Sequence, residues 1–166
     1  MIAGFKTKWP KHMGALHGQP TNFIEKIWKS FPEEPVSPEF RDALHAGYFD
    51  MDTYLKCDPK GHTIRQDPGK RWKVGMDIHF DINVRTKNHL RFAPVKKVTA
   101  IQELVIEWTD VFGFRKPEPN IHIDGVWFFD YDQLARNDGF PSVDAFFAWF
   151  HTDFTGRIIH WTDIRY

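Results

Sequence analysis

Cysteine is nearly absent from this chain: Cys57 is the only one in 166 residues. A single thiol excludes an intrachain disulfide and a cysteine-rich zinc site, and it fits a reducing compartment. Long apolar runs are missing as well. The longest stretch without polar side chains, Ala145 to Phe150, is far short of the roughly 20 residues that cross a bilayer, so no membrane partner is expected. The opening MIAGFKTKWPKHMGALHGQP mixes apolar and basic residues and lacks the ~7–15-residue apolar core of a secretory signal. A cytoplasmic location is therefore expected. The nine histidines are scattered, with no HExxH, no HxH and no Cys/His cluster, so no metal is expected. Neither GxSxG nor a glycine-rich phosphate loop occurs, which removes the usual nucleophile elbow and any reason to expect a nucleotide cofactor. Internal repeats and low-complexity tracts are absent too.

What is present describes one ordinary domain over 1–166: 42% hydrophobic residues and 27% charged ones, with 16 Phe, 7 Trp and 4 Tyr. The charge sums to zero but is unevenly spread. Residues 1–59 carry 7 basic and 8 acidic side chains, residues 60–97 carry 10 and 3, and residues 98–166 carry 5 and 11. The basic middle block suits an anionic ligand, phosphate or nucleic acid; equally, the acidic last third could fold against it and neutralise it.

Periodicity predicts a short helix over 22–30 behind Thr21 as a cap, and another from Ser37 or Pro38 to His45, ended by Gly47. The proline-rich FPEEPVSPEF between them reads as a loop. From Gly61 the pattern alternates, with His62, Ile64 and Gln66 on one face of a strand and Thr63 and Arg65 on the other. DPGK at 67–70 signals a turn, 77–83 a strand, 94–108 one bent strand or two, and Asp124-Gly125 a hairpin. A helix through LARNDGF stops at Gly139, a second starts behind Ser142, and 156–166 can return as a closing strand. The sum is an α+β protein, a small barrel with flanking helices, with 1–55 as a helical and loop leader packed on it.

Lys60-Gly61-His62-Thr63-Ile64-Arg65, then Arg71-Trp72-Lys73-Val74-Gly75 and an alternating strand, resemble the ASCH family of the PUA-like superfamily. The family pattern is a Lys, two residues, Thr, one residue, Arg, then an aromatic and a glycine ahead of the next strand. The chain matches at Lys60, Thr63, Arg65, Trp72 and Gly75. LARNDGF followed by another helix resembles the family's helical insertion, so the likeness covers about 55–166. The N-terminal piece, with GQPTNFIEKIW, resembles the leader of longer ASCH-like proteins of phage or bacterial type. The resemblance implies a PUA-like barrel that binds RNA or a modified nucleoside or nucleotide. Some small bacterial members are amidohydrolases that deacetylate acetylated cytidine. By position this implies Lys60 and Thr63 as catalytic residues, with Asp138 where those enzymes carry a glutamate. The shorter carboxylate displaces a relay by about 1 Å, which can cost roughly 100-fold in rate.

The residues themselves permit these roles and plainer ones. Thr63 becomes a nucleophile only if a base takes its proton, and Lys60 is such a base only if burial or neighbouring cations lower its pKa. Otherwise Lys60 is a solvated turn lysine, Thr63 a β-former and Asp138 a helix-end residue. Arg65 could hold a phosphate or a base oxygen, or pair with a carboxylate. His62, beside Ile64, suits a hydrogen-bonded, partly buried position at the ligand's edge. Trp72, next to Arg71, is the ring chosen for stacking on a base, whereas the rings of 146–150 are assigned to the core. Arg85 and Lys87 in the RTKN loop complete the candidate ligand contacts. A protein-interaction domain presenting its aromatic residues to a partner is the remaining reading.

Overall fold

Short alternating segments pair into two sheets in the computed structural model, which describes residues 1–31, 37–110 and 112–166. In chain order the elements are β1 (Ile2–Phe5), α1 (Phe23–Lys29), α2 (Pro38–His45), α3 (Met51–Lys56), β2 (His62–Arg65), β3 (Asp77–Ile82) and β4 (Leu90–Lys97). Then follow β5 (Ala100–Thr109), β6 (Arg115–Ile123), β7 (Val126–Trp127), α4 (Tyr131–Asn137), α5 (Val143–Trp149) and β8 (Phe154–His160). One sheet has the order β1-β3-β4 and the other β2-β8-β5-β6-β7. The class is α+β as expected, and among the described residues no ladder joins the two sheets into a closed barrel. No described helix is long and apolar enough to cross a membrane.

The leader is more than helix and loop. Its first residues form β1, which runs parallel to β3 in the register Ile2↔His79 to Phe5↔Ile82. Four residues interrupted by Gly4 are too few to register as alternation, yet Ala3 and Phe5 point inward as a strand requires. The segment 94–108 resolves into two strands. The first starts earlier than its alternation suggests, because Pro94 lies inside β4; a strand at a sheet edge tolerates the missing N–H. Of the expected proline-rich loop, residues 32–36 lie outside the described residues.

Helix ends follow local chemistry. Ser37, Asp50, Asp130 and Ser142 each accept a backbone N–H in the first turn of the helix they precede. At α1 the cap residue is Asn22 in the left-handed region, while the Thr21 hydroxyl donates to the carbonyl of Lys6 at 2.6 Å. That bond ties the leader strand to the first helix.

Rings fill the space between layers. Phe5 stacks on Phe80 at 6.0 Å and meets Phe92 and Trp161 edge-on, and the Trp28 indole donates to the carbonyl of Phe92. A second cluster joins Trp9, Phe23, Phe140, Phe146 and Phe150. Where β8 passes β2, Gly156 is required: a Cβ there would lie 2.6 Å from the backbone oxygen of Arg65 and 2.5 Å from the Phe154 ring. Gly156→Ala is expected to destabilise the protein by about 1–3 kcal/mol, the usual cost of overpacking against backbone. Urea denaturation reads it directly, and an unchanged midpoint would contradict the close approach.

Candidate functional site

Lys60 stands where three segments meet. Its backbone N–H donates to the carbonyl of Lys26 in the last turn of α1, and the N–H of Gly61 donates to the carbonyl of Asn137 at the end of α4. The side chain turns inward, 2% exposed, and its Nζ lies 2.5 Å from Asp138 Oδ1 while also donating to the Asp138 carbonyl. Asp138 occupies the C-terminal cap of α4, and Gly139 follows at φ +85. Gly139 serves two purposes, because a Cβ there would also sit 3.0 Å from the Lys60 stem and 3.1 Å from the Phe23 ring. The Nζ lies 4.9 Å from the centre of that ring.

Burial shapes the electrostatics. It lowers the Lys60 pKa from 10.5 to about 8, the Asp138 carboxylate holding it up and Arg65 and Lys26 pulling it further down. Burial alone would raise the Asp138 carboxyl, but Lys60 beside it, with His62 contributing, holds it below the ordinary carboxylate range. At pH 7 a group of pKa about 8 is deprotonated in about a tenth of molecules.

Thr63 and Arg65 share a strand face, as the alternation predicts. Arg65 Nε donates to the Thr63 hydroxyl at 3.2 Å, Arg65 Nη2 donates to the Gly4 carbonyl at 2.8 Å, and the guanidinium lies over the Phe5 ring at 4.9 Å. Lys60, Thr63, Arg65 and Asp138 line one cavity of about 160 Å³, walled by Phe23, Phe140, Trp149 and Phe150 and closed by Gly4 to Lys6. The Lys60 amine makes its hydrogen bonds to Asp138 rather than to Thr63.

His62 points to the other side of Asp138. Its Nδ1 stands 3.5 Å from Asp138 Oδ1, too far for a strong hydrogen bond, and its Nε2 meets the Tyr166 hydroxyl at 2.6 Å. That hydroxyl also accepts from Asn137 at 3.0 Å. His160 packs against His62 at 5.3 Å between ring centres, both of its nitrogens without a partner, and burial lowers its pKa to about 3. This histidine corner belongs to the rear of the site, not to the cavity wall.

Trp72 requires a correction. It is 5% exposed, its N–H donates to Asp67 Oδ2 and its carbonyl accepts from Arg157, so it has no free face for a base. Arg71 is exposed beside it and does not line the cavity. The ring that does line the cavity with part of its surface exposed is Trp149, which sequence reasoning had assigned to the core. Gly4 and Lys6 were missed for want of a strand signal at residues 2–5. Arg85 and Lys87 are exposed in the loop after β3, flanking Thr86 of a neighbouring cleft. Among the described residues no group of three or more His, Cys, Asp or Glu is placed to hold a metal.

Comparison with protein-family models, with curated proteins and with solved structures finds no match. The site therefore rests on its own geometry. In an NMR titration of selectively labelled lysine, Lys60 is expected to lose its proton with a midpoint of about 8. Asp138→Asn removes the anion that favours the charged amine and moves the midpoint lower still. A wild-type midpoint near 10.5 would contradict the burial that sets it. The linkage is definite in sign: the unfolded chain binds more protons than the folded one between pH 8 and 10.5, so this group adds stability as pH rises through that window.

Proposed function

We propose that the chain is a PUA-like ASCH module that binds RNA or a modified nucleoside or nucleotide, the base entering the cavity at Lys60, Thr63 and Arg65. The observation that carries the reading is the cavity itself: buried donors and an acceptor set among aromatic walls. At about 160 Å³ it is smaller than the ~300–1,000 Å³ of sites for drug-sized ligands, and so fits one planar ring. Arg65 and Lys60 donate, Asp138 accepts, Thr63 does either, and Trp149 offers a face for stacking. A ring with donors and acceptors on its edge, as a nucleobase has, matches that set. The barrel and the family membership belong to this same proposal, supported by the KxxTxR spacing and by Lys60 and Thr63 lining one cavity.

A second reading has its own support. A lysine of pKa about 8 in a cavity with a threonine hydroxyl is close to what amide hydrolysis needs from a base and a nucleophile. In that case Lys60 takes the proton as Thr63, or a water it orients, adds to the acyl carbonyl of an acylated cytidine; the C–N bond then breaks, the cytidine amine leaves with that proton, and where Thr63 is the nucleophile water hydrolyses its ester to release the acid. Asp138 then steadies the charged amine. Protein interaction through exposed aromatic residues has less support, since the polar groups are collected inside.

The test is calorimetric titration with cytidine and acetylated cytidine, with chromatography of the mixtures for turnover. Binding is expected, weakened roughly 10-fold in Thr63→Ala, about what one hydrogen bond between neutral groups supplies. Turnover by the wild type, lost in Lys60→Ala and Thr63→Ala, would convert the module into an amidohydrolase. No binding of either nucleoside, of a monophosphate or of a short single-stranded RNA would overturn the reading.

A further inference from the structure

The base cavity has a neighbour. A second cleft of about 510 Å³ is lined by Gly4, Phe5, Lys6, Thr7, Lys8, Asn83, Val84 and Thr86, and it shares Gly4, Phe5 and Lys6 with the cavity that holds Lys60. Gly4 is the dividing wall. Its carbonyl accepts from Arg65 on the cavity side, and a Cβ would meet Val84 at 3.1 Å on the cleft side.

The cleft's charge has one sign. Its lining contains Lys6 and Lys8 and no carboxylate, and both lysines are exposed without an ion-pair partner among the described residues. Arg85 and Lys87, exposed on either side of Thr86, add two more cations without an ion-pair partner among the described residues. The donors on the opposite side are already used: Asn83 Nδ2 donates to the Tyr48 hydroxyl and the Asn88 carbonyl, and the Thr86 hydroxyl donates to the Asn83 carbonyl. What remains for a ligand is a pair of ammonium groups, which recognise an anion as point charges rather than by shape, and between them the Thr7 hydroxyl, unbonded among the described residues.

We propose that this cleft is a phosphate subsite, and that the ligand of the base cavity is a phosphorylated nucleoside rather than a bare one. The inference rests on the nucleobase reading of the cavity. Lys6 lies two residues past Gly4, about 7 Å along an extended chain, the reach of one sugar from the dividing wall. Phosphate held there neutralises charge that the fold leaves unpaired, and each such contact makes binding salt-dependent. The N-terminal strand thereby becomes part of the site, contributing Gly4 and Lys6 to the cavity and Lys6 and Lys8 to the phosphate.

The experiment compares acetylated cytidine, its 5′- and 3′-monophosphates and a four-nucleotide single-stranded RNA of cytidines, on wild type and on Lys6→Gln/Lys8→Gln. These side chains are exposed, so the double variant keeps the fold, which circular dichroism checks. A phosphorylated form is expected to bind at least ~10-fold more tightly than the nucleoside at low salt. The gain is expected to vanish in the double variant; because Lys6 also lines the base cavity, the readout is the ratio of phosphorylated to nucleoside affinity within each protein. A gain already complete with a monophosphate identifies a free nucleotide. A gain only with the RNA, weakened further by Arg85→Gln/Lys87→Gln, identifies a strand. Equal affinity for nucleoside and phosphorylated forms, or a gain that survives in the double variant, overturns the phosphate subsite and leaves the base cavity standing. No binding by any of these probes overturns both.

Discussion

The buried pair of Lys60 and Asp138 is the constraint around which the site is built. Opposite charges taken out of water gain little net stability, because desolvation offsets most of their attraction. Such a pair persists only when the surrounding backbone holds it, and here it does. Residues 78 apart in sequence are joined both at the carboxylate and at the backbone carbonyl of Asp138. The end of α4, the start of β2 and the end of α1 are thereby tied at one point, with the Lys26 amine closing the group on the Gly139 carbonyl at 2.7 Å. A side chain at Gly139 would collide with the lysine stem, so the cap that ends α4 and the room for the ion pair are one requirement.

The aromatic layer transmits this order to the rest of the molecule. Phe5 belongs to the core through Phe80, Phe92 and Trp161, and it also lies under the Arg65 guanidinium. Phe23 does the same on the other side, packing on Trp9 and Phe140 while facing the Lys60 amine. The Lys60 and Arg65 cations thus rest on rings fixed by the core. Their positions are set by packing rather than by loops, the arrangement that holds polar groups ready for a ligand.

Much of this was legible in the residues, for physical reasons. Alternation at 62–65 put Thr63 and Arg65 on one face, and the structure joins them by a hydrogen bond. The Ser142 cap and the Gly139 stop follow from local backbone chemistry that tertiary contacts do not override. Legibility failed where the deciding contact was distant. β1 exists because β3 lies beside it, and four residues carry no period of their own. Trp72 reads as exposed from its basic neighbours, yet Asp67 folds the turn back and seats the indole inside. Trp149 reads as core from its helix, yet it lines the cavity together with residues 4–6 and keeps part of its surface exposed. Lys60 is illegible in the same way, since nothing near it in sequence announces burial.

The histidines behind Asp138 explain why one proton matters most. Burial depresses His160 to about 3 and lowers His62 as well, so both rings are neutral at pH 7. Burial raises Tyr166, which stays protonated. Asp138 stays ionised, and the guanidinium of Arg65 keeps its charge throughout. Lys60, at about 8, is left as the group of this cluster whose charge changes near neutral pH. As an ammonium it is a donor for the edge of a bound ring; as an amine it is a base within the same walls. On the proposed reading, binding draws on the first protonation state and acyl transfer on the second, within one geometry, and the ligand's chemistry decides between them.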